Sequence, residues 1–135
     1  MLKRMHTIFA LIFGIFLINV GILHFRDTSW FEPIVPDFVG FPTFWVIISG
    51  IAEIILGIGL IVPKSREIAA KCTSVFLIMI YPANLYMWIY NIQLGDGTYL
   101  SGVGHVLRLF AQIFMIGLNL WISKQKTWSE LKSEW

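Results

Sequence analysis

Four long apolar segments, over residues 6–25, 41–62, 68–90 and 101–123, dominate this 135-residue chain. Each is about 20 residues long, which lets an α-helix cross the hydrocarbon core of a bilayer. Hydrophobic residues make up 57% of the chain and charged residues 13%, too few charges to cover a soluble domain of this size. The sequence therefore predicts an all-α integral membrane protein, a four-helix bundle in contact with the lipid bilayer that forms a single domain over residues 1–135.

The distribution of basic residues predicts the orientation of this bundle. Most lysines and arginines precede the first segment, lie between the second and third, or follow the fourth, whereas the other connections carry little beyond Arg26 and several acids. Because basic loops stay in the cytoplasm, both termini are expected there, with residues 124–135 as a short cytoplasmic tail. The net charge of +2 gives no argument for nucleic-acid binding, and the lone Cys72 excludes an intrachain disulfide.

Polar residues recur inside the apolar segments at similar predicted depths. Arg108 lies about 10 Å below the outer end of the fourth segment, and His105 and Gln112 share its helical face. Asn84 of the third segment is expected at the level of Arg108, and Glu53 of the second at the level of Gln112. Since a lone charge in the membrane is costly, we expect Arg108 to form an ion pair with Glu53. Such a pair would line a ligand site or merely fix helix register.

The same residue types suit a small amphipathic molecule with carbonyl oxygens, such as a quinone. Arg108, Asn84, Gln112 and His24 would donate hydrogen bonds to it, and Glu53 would accept a proton. Trp30 and Phe31 would form a lid. The candidate ligand-binding residues are Glu53, Arg108, Asn84, Gln112, His24, His105, Met87 and Trp30.

Two alternatives stand beside this site. A haem held between His24 and His105 is the less favoured, because single interfacial histidines are more often hydrogen-bonded than ligating. An interfacial belt also suits Met87 and the Trp and Tyr residues near the helix ends, namely Trp30, Trp45, Tyr86, Trp88, Tyr90 and Tyr99. We expect no metal site, since the sequence has no complete metal motif.

Five sequence motifs occur in order along nearly the whole chain: "GILHF", "FEPIVP", "SGIAEIILGIGLIVP", "YPANLYM" and "RLFAQ". This set resembles the DoxX family of small four-helix bacterial membrane proteins. Phe110 departs from it, because the last motif of that family commonly reads Arg-Leu-Pro-x-Gln. The resemblance implies a multi-pass protein of the bacterial cytoplasmic membrane with a role in redox or oxidative-stress chemistry. It also implies shared site residues at His24, Glu53, Asn84, Arg108 and Gln112.

Two functions from different classes follow from these observations. In the first, the outer half of the bundle binds the quinone-like molecule. In the second, the protein is a non-catalytic membrane subunit or scaffold for a redox partner, as a homo-oligomer or alone, and its polar cluster serves the fold. The absence of redox-active cysteine pairs favours the second for chemistry performed alone, whereas the number of polar groups at one depth favours the first for binding.

Overall fold

Four long helices account for most of the structure, a computed structural model that describes residues 2–97, 99 and 101–124. The helices are α1 (Leu2–Arg26), a short α2 (Thr28–Phe31), α3 (Pro42–Ile61), α4 (Arg66–Ile89) and α5 (Gly102–Ile122), with a 3-10 turn at Glu32–Ile34. Four of them, α1, α3, α4 and α5, are long and apolar enough to span a membrane. The predicted all-α fold with four such helices is confirmed, and it is typical of a multi-pass membrane protein. The predicted tail lies outside the described residues beyond Lys124.

Helix ends follow local sequence signals. Pro42 occupies the first turn of α3, where its missing N–H is not needed. The side chain of Ser101 accepts a hydrogen bond from the Gly104 amide and so caps the start of α5. Helix α4 continues through Pro82, which leaves the carbonyl of Ile78 without its helical donor. Helix α1 begins four residues before the predicted start, because the basic residues that precede the apolar segment are good helix formers.

The long helices alternate in direction and form two closely associated pairs. Helix α1 packs most extensively on α3, and α4 packs on α5; α3 and α4 join the two pairs, and α1 also contacts α5 to a smaller extent. We call the end of the bundle that carries α2 and the α4–α5 connection the upper end. The opposite end, with the start of α1 and the α3–α4 turn, is the lower end. The upper end is the one predicted to face outward.

Glycines bring α1 and α3 into backbone contact. A Cβ atom added to Gly14 would lie 2.7 Å from the carbonyl oxygen of Gly57, and one added to Gly21 would lie 2.7 Å from that of Gly50. Gly59 serves the other neighbour of α3, because a Cβ there would meet the Ala69 side chain of α4. Small residues permit this approach between membrane helices, as we expect for the glycines around Glu53.

The lower half of the bundle holds the apolar core. Its buried members come from all four long helices: Ala10, Phe13, Leu17, Leu60, Ala69, Ala70, Leu77 and Ile122. Buried Arg66 closes this end of the bundle through Nε and Nη2, which donate to the carbonyls of Leu60 and Ile61 at 2.8 and 3.0 Å. A guanidinium thereby satisfies carbonyls that the end of α3 leaves without helical partners.

The upper end is covered by the segment between α1 and α3. The ring of Phe31 stacks on the imidazole of His24, with the ring centres 4.0 Å apart. The hydroxyl of Thr43 donates to Glu32 at 2.9 Å, and the Gly95 amide donates to the carbonyl of Trp30 at 3.3 Å. These bonds tie the segment both to α3 and to the α4–α5 connection.

Candidate functional site

Arg108 lies between α4 and α5 with partners from α4. Its Nη2 donates to Oδ1 of Asn84 at 2.5 Å, and its Nη1 donates to the sulfur of fully buried Met87 at 2.7 Å. Asn84 and Arg108 are half-buried. Among the described residues, no carboxylate pairs with this guanidinium. A cation inside an apolar bundle is thus held by neutral acceptors.

The predicted ion pair between Arg108 and Glu53 is wrong. Helix α5, which carries Arg108, packs mainly on α4. Glu53 instead follows Gly50 on the face of α3 that α1 approaches most closely, and α1 supplies its neighbour. Arg108 therefore has its partners within the α4–α5 pair, and Glu53 has its neighbour within the α1–α3 pair.

The neighbour of Glu53 is His24. Oε2 of Glu53 lies 3.3 Å from Nδ1 of His24, and both residues are buried. The same Nδ1 lies 2.8 Å from the carbonyl of Val20, which is the better acceptor by distance. We therefore assign the Nδ1 proton to Val20, which leaves Oε2 of Glu53 without a hydrogen bond. The carboxyl is buried beside a histidine with one oxygen unsatisfied.

Gln112 lies one turn below Arg108 and also reaches across to α4. Its buried side-chain amide donates to the backbone carbonyl of Leu77. That carbonyl immediately precedes the carbonyl of Ile78, which loses its helical donor at Pro82. The amide of Gln112 therefore fixes the position of α5 against α4 at the point where the helical hydrogen bonding of α4 is interrupted.

His105 lies one turn above Arg108 and is buried beside Trp88. Their ring planes are within 7° of parallel, with centres 5.8 Å apart. Nε2 of His105 has no hydrogen-bond partner. His105 and Arg108 both line a pocket between α4 and α5 that has room for about one water molecule. Its lining residues are Tyr81, Asn84, Trp88, His105, Arg108 and Leu109.

The predicted site residues thus fall into two groups on different helix pairs. The first group lies between α4 and α5 and consists of Asn84, Met87, His105 and Arg108, with Gln112 below them. His24 and Glu53 lie between α1 and α3, under Phe31. No hydrogen bond or ion pair joins the two groups within the described part of the chain.

Trp30 and Phe110 also lie away from the pocket. Trp30 packs edge-on against Phe31 near His24, with ring centres 4.8 Å apart. Helix α5 runs unbroken through Phe110, the position at which the resemblance to the DoxX proteins leads one to expect a proline. The side chain of Phe110 is exposed on the outer surface of the bundle.

Three residues that line the pocket, Tyr81, Trp88 and Leu109, were not predicted. Tyr81 and Trp88 are half-buried and line it from α4. The sequence does contain a signal, because they lie three residues before and four residues after Asn84 and so share its helical face. The sequence instead favoured an interfacial belt for Trp88.

The α4–α5 group offers donors and aromatic surfaces to a ligand. Arg108 has five N–H donors and uses two of its nitrogens on protein acceptors, and His105 Nε2 is free. Trp88 and Tyr81 supply flat apolar surfaces. The described residues contain no group of three or more His, Cys, Asp or Glu side chains placed to hold a metal ion.

Searches among curated proteins and among solved structures gave no match to the chain. One family profile, described as "Domain of unknown function (DUF8561)", matches residues 13–123. That range includes all of α3, α4 and α5 together with most of α1, and therefore both polar groups. The chain accordingly belongs to the DUF8561 family.

Proposed function

We propose that the protein binds a small amphipathic molecule, with a quinone-like head group, between α4 and α5 in the upper half of the bundle. The observation that carries this proposal is the set of hydrogen-bond partners of the Arg108 guanidinium. A half-buried guanidinium with no carboxylate partner among the described residues still has donors to offer. A carbonyl oxygen of the ligand would accept from it inside a medium that strengthens such bonds.

His105 and Trp88 support the same head group. Nε2 of His105 is buried without a partner beside the pocket, so it is the second polar atom that a ligand oxygen or hydroxyl would satisfy. Trp88 would stack against a flat ring. Because the pocket has room for about one water molecule, binding requires the half-buried side chains of Tyr81 and Trp88 to move apart.

The wider setting of this proposal rests on the sequence. The positive charges favour a bundle with both termini in the cytoplasm, so that the pocket lies in the outer leaflet. Resemblance to the DoxX proteins favours a bacterial plasma membrane and a redox or oxidative-stress role. Single cysteines at exposed Lys64 and Phe38, in a Cys72→Ser background, test the orientation: Lys64→Cys should be labelled from the cytoplasmic side and Phe38→Cys from the other.

A second candidate is a non-catalytic subunit that holds a redox partner. The observation in its favour is that Arg108, Asn84, Met87 and Gln112 already have partners within the chain. Polar contacts of this kind fix helix register without any ligand. On this interpretation purified protein carries no small molecule, and the polar group serves to present a fixed outer surface.

Quenching of tryptophan fluorescence by a short-chain ubiquinone analogue tests the first candidate. Trp88 lies in the pocket, so we expect saturable quenching of the native protein in detergent micelles. Replacing Arg108 by Gln removes a charged donor and should weaken binding roughly ten- to hundredfold. The matched control is Arg26→Gln at the exposed upper end of α1, which should bind as the native protein does.

Two results would contradict this proposal. Quenching that rises linearly without saturation would reflect partition into the micelle rather than a site. Equal affinities for Arg108→Gln and Arg26→Gln would remove Arg108 from any binding role. In either case, a partner that co-purifies with the native protein would favour the scaffold.

A further inference from the structure

Helix α1 has a second face that the bundle does not use. Its inner face, which includes Gly14, Leu17 and Gly21, is buried against the other helices. On the opposite side runs an exposed stripe whose members recur at alternating intervals of four and three residues. The stripe consists of Ile8, Ile12, Ile15, Asn19 and Ile22, and its isoleucines are between 41% and 59% exposed.

Asn19 is the unusual member of this stripe. It lies about 10 Å along the helix from Arg26 at the upper end, which places it within the hydrocarbon of a membrane. Its side chain is exposed and makes no hydrogen bond to any described residue. Lipid tails offer an amide no partner, and a polar group without one is costly there.

We propose that this stripe binds a second copy of the chain, with the two α1 helices parallel and their Asn19 amides hydrogen-bonded to each other. Intervals of four and three residues average 3.5, the spacing at which two helices supercoil left-handedly with one continuous seam. Left-handed crossing is also the commoner arrangement of membrane helices. β-Branched isoleucines pack in this seam, and the amide fixes its register.

The depth of Asn19 in the membrane favours a second copy of the chain, rather than an unrelated helix, as the occupant. Copies that insert in the same orientation carry Asn19 at the same depth, and an amide both donates and accepts, so it is complementary to itself about a twofold axis. An unrelated helix would need a polar residue at that same level. Arg26, at the upper end of the stripe, lies beside Asp27 at the membrane surface, where water screens the like charges.

The proposed interface is independent of ligand binding. None of the residues that line the pocket belongs to α1, so a second copy on the outer face of α1 leaves the pocket open. The proposal of a dimer and the proposal of ligand binding can therefore be contradicted separately, because the experiments on the two do not depend on each other.

Disulfide cross-linking in liposomes tests this interface. In the full chain with Cys72→Ser, Ile15→Cys places a thiol in the seam, and Ile113→Cys places one on the outer face of α5. The two positions are matched in exposure, at 55% and 57%. We expect Ile15→Cys to form covalent dimers on oxidation at protein-to-lipid ratios where Ile113→Cys remains monomeric. Equal yields for the two variants at every dilution would overturn the proposal.

Asn19→Leu, added to the Ile15→Cys protein, tests the role of the amide. The substitution changes only an exposed side chain that makes no hydrogen bond to any described residue, so the fold should be retained, as far-UV circular dichroism would verify. Loss of the interhelical hydrogen bond should shift the protein-to-lipid ratio at half-maximal cross-linking roughly 3- to 30-fold higher. An unshifted ratio would show that Asn19 does not join the copies. In native membranes, Ile15→Cys cross-linked to a different polypeptide would also overturn the second copy as occupant.

Discussion

Helices α1 and α3 meet through their backbones, whereas α4 and α5 meet through polar side chains. In the first pair, glycines oppose each other so closely that an added Cβ at Gly57 would lie 2.6 Å from the carbonyl of Gly14. In the second pair, Arg108 and Gln112 extend from α5 to acceptors on α4. The first arrangement brings the two backbones into contact at the glycines, and the second leaves a small pocket.

Under the proposed function, this difference assigns stability and ligand binding to different helix pairs of one bundle. Backbone contact between membrane helices maximises van der Waals packing, which is the main stabilising term where water is absent. Long side chains with several rotatable bonds can change partners, which is what the proposed ligand would require of Arg108. The α1–α3 pair therefore supplies close backbone packing, and the α4–α5 pair holds the proposed binding site.

The largest effect is expected from Gly57→Ala. The new methyl group would collide with the carbonyl oxygen of Gly14 on α1. Because a backbone atom cannot rotate away as a side chain can, the helices must separate. Overpacking of this kind costs about 1–3 kcal/mol, and loss of the glycine contact adds to that. Thermal unfolding in detergent should show a lower midpoint for Gly57→Ala.

Gly117→Ala provides the matched control on α5. A Cβ atom at Gly117 meets nothing within 4 Å, and the residue is exposed. Alanine is a better helix former than glycine, so the unfolding midpoint should stay the same or rise. If both alanine variants lowered the midpoint equally, close backbone packing of α1 on α3 would not explain the stability of that pair.

The sequence predicted the fold more completely than the site. Lengths and hydropathy located four helices, because the bilayer imposes a length on each segment and local signals such as Pro42 mark their ends. Depth along each helix placed Asn84 beside Arg108 correctly. Depth does not specify which helices are neighbours, however, and residues at one level on different pairs do not meet. Glu53 was therefore assigned to Arg108, although the glycines of α1 and α3 bring it to His24.

A smaller effect on stability is expected from removing the contact between the side chains of His24 and Glu53. Their side chains lie 3.3 Å apart in a buried setting, so substitutions at the two positions should not be independent. A double-mutant cycle with His24→Phe and Glu53→Gln should give a coupling energy of roughly 1 kcal/mol in reversible unfolding from mixed micelles. Phenylalanine keeps a ring for Phe31 to stack on, so the cycle isolates the polar contact. Additive effects would mean that the two groups lie close without interacting.

The smallest effect is expected from pairing Glu53 with Arg108 in the same kind of cycle. The two residues lie on different helix pairs and share no hydrogen-bond partner among the described residues. Glu53→Gln and Arg108→Gln should therefore add to within about 0.5 kcal/mol in the double variant. Because the neutral amide of Gln can still form hydrogen bonds at both positions, the cycle measures the interaction of the two charges. A coupling above about 1 kcal/mol would restore the ion pair across the bundle, and the assignment of Glu53 and Arg108 to separate polar groups would then be wrong.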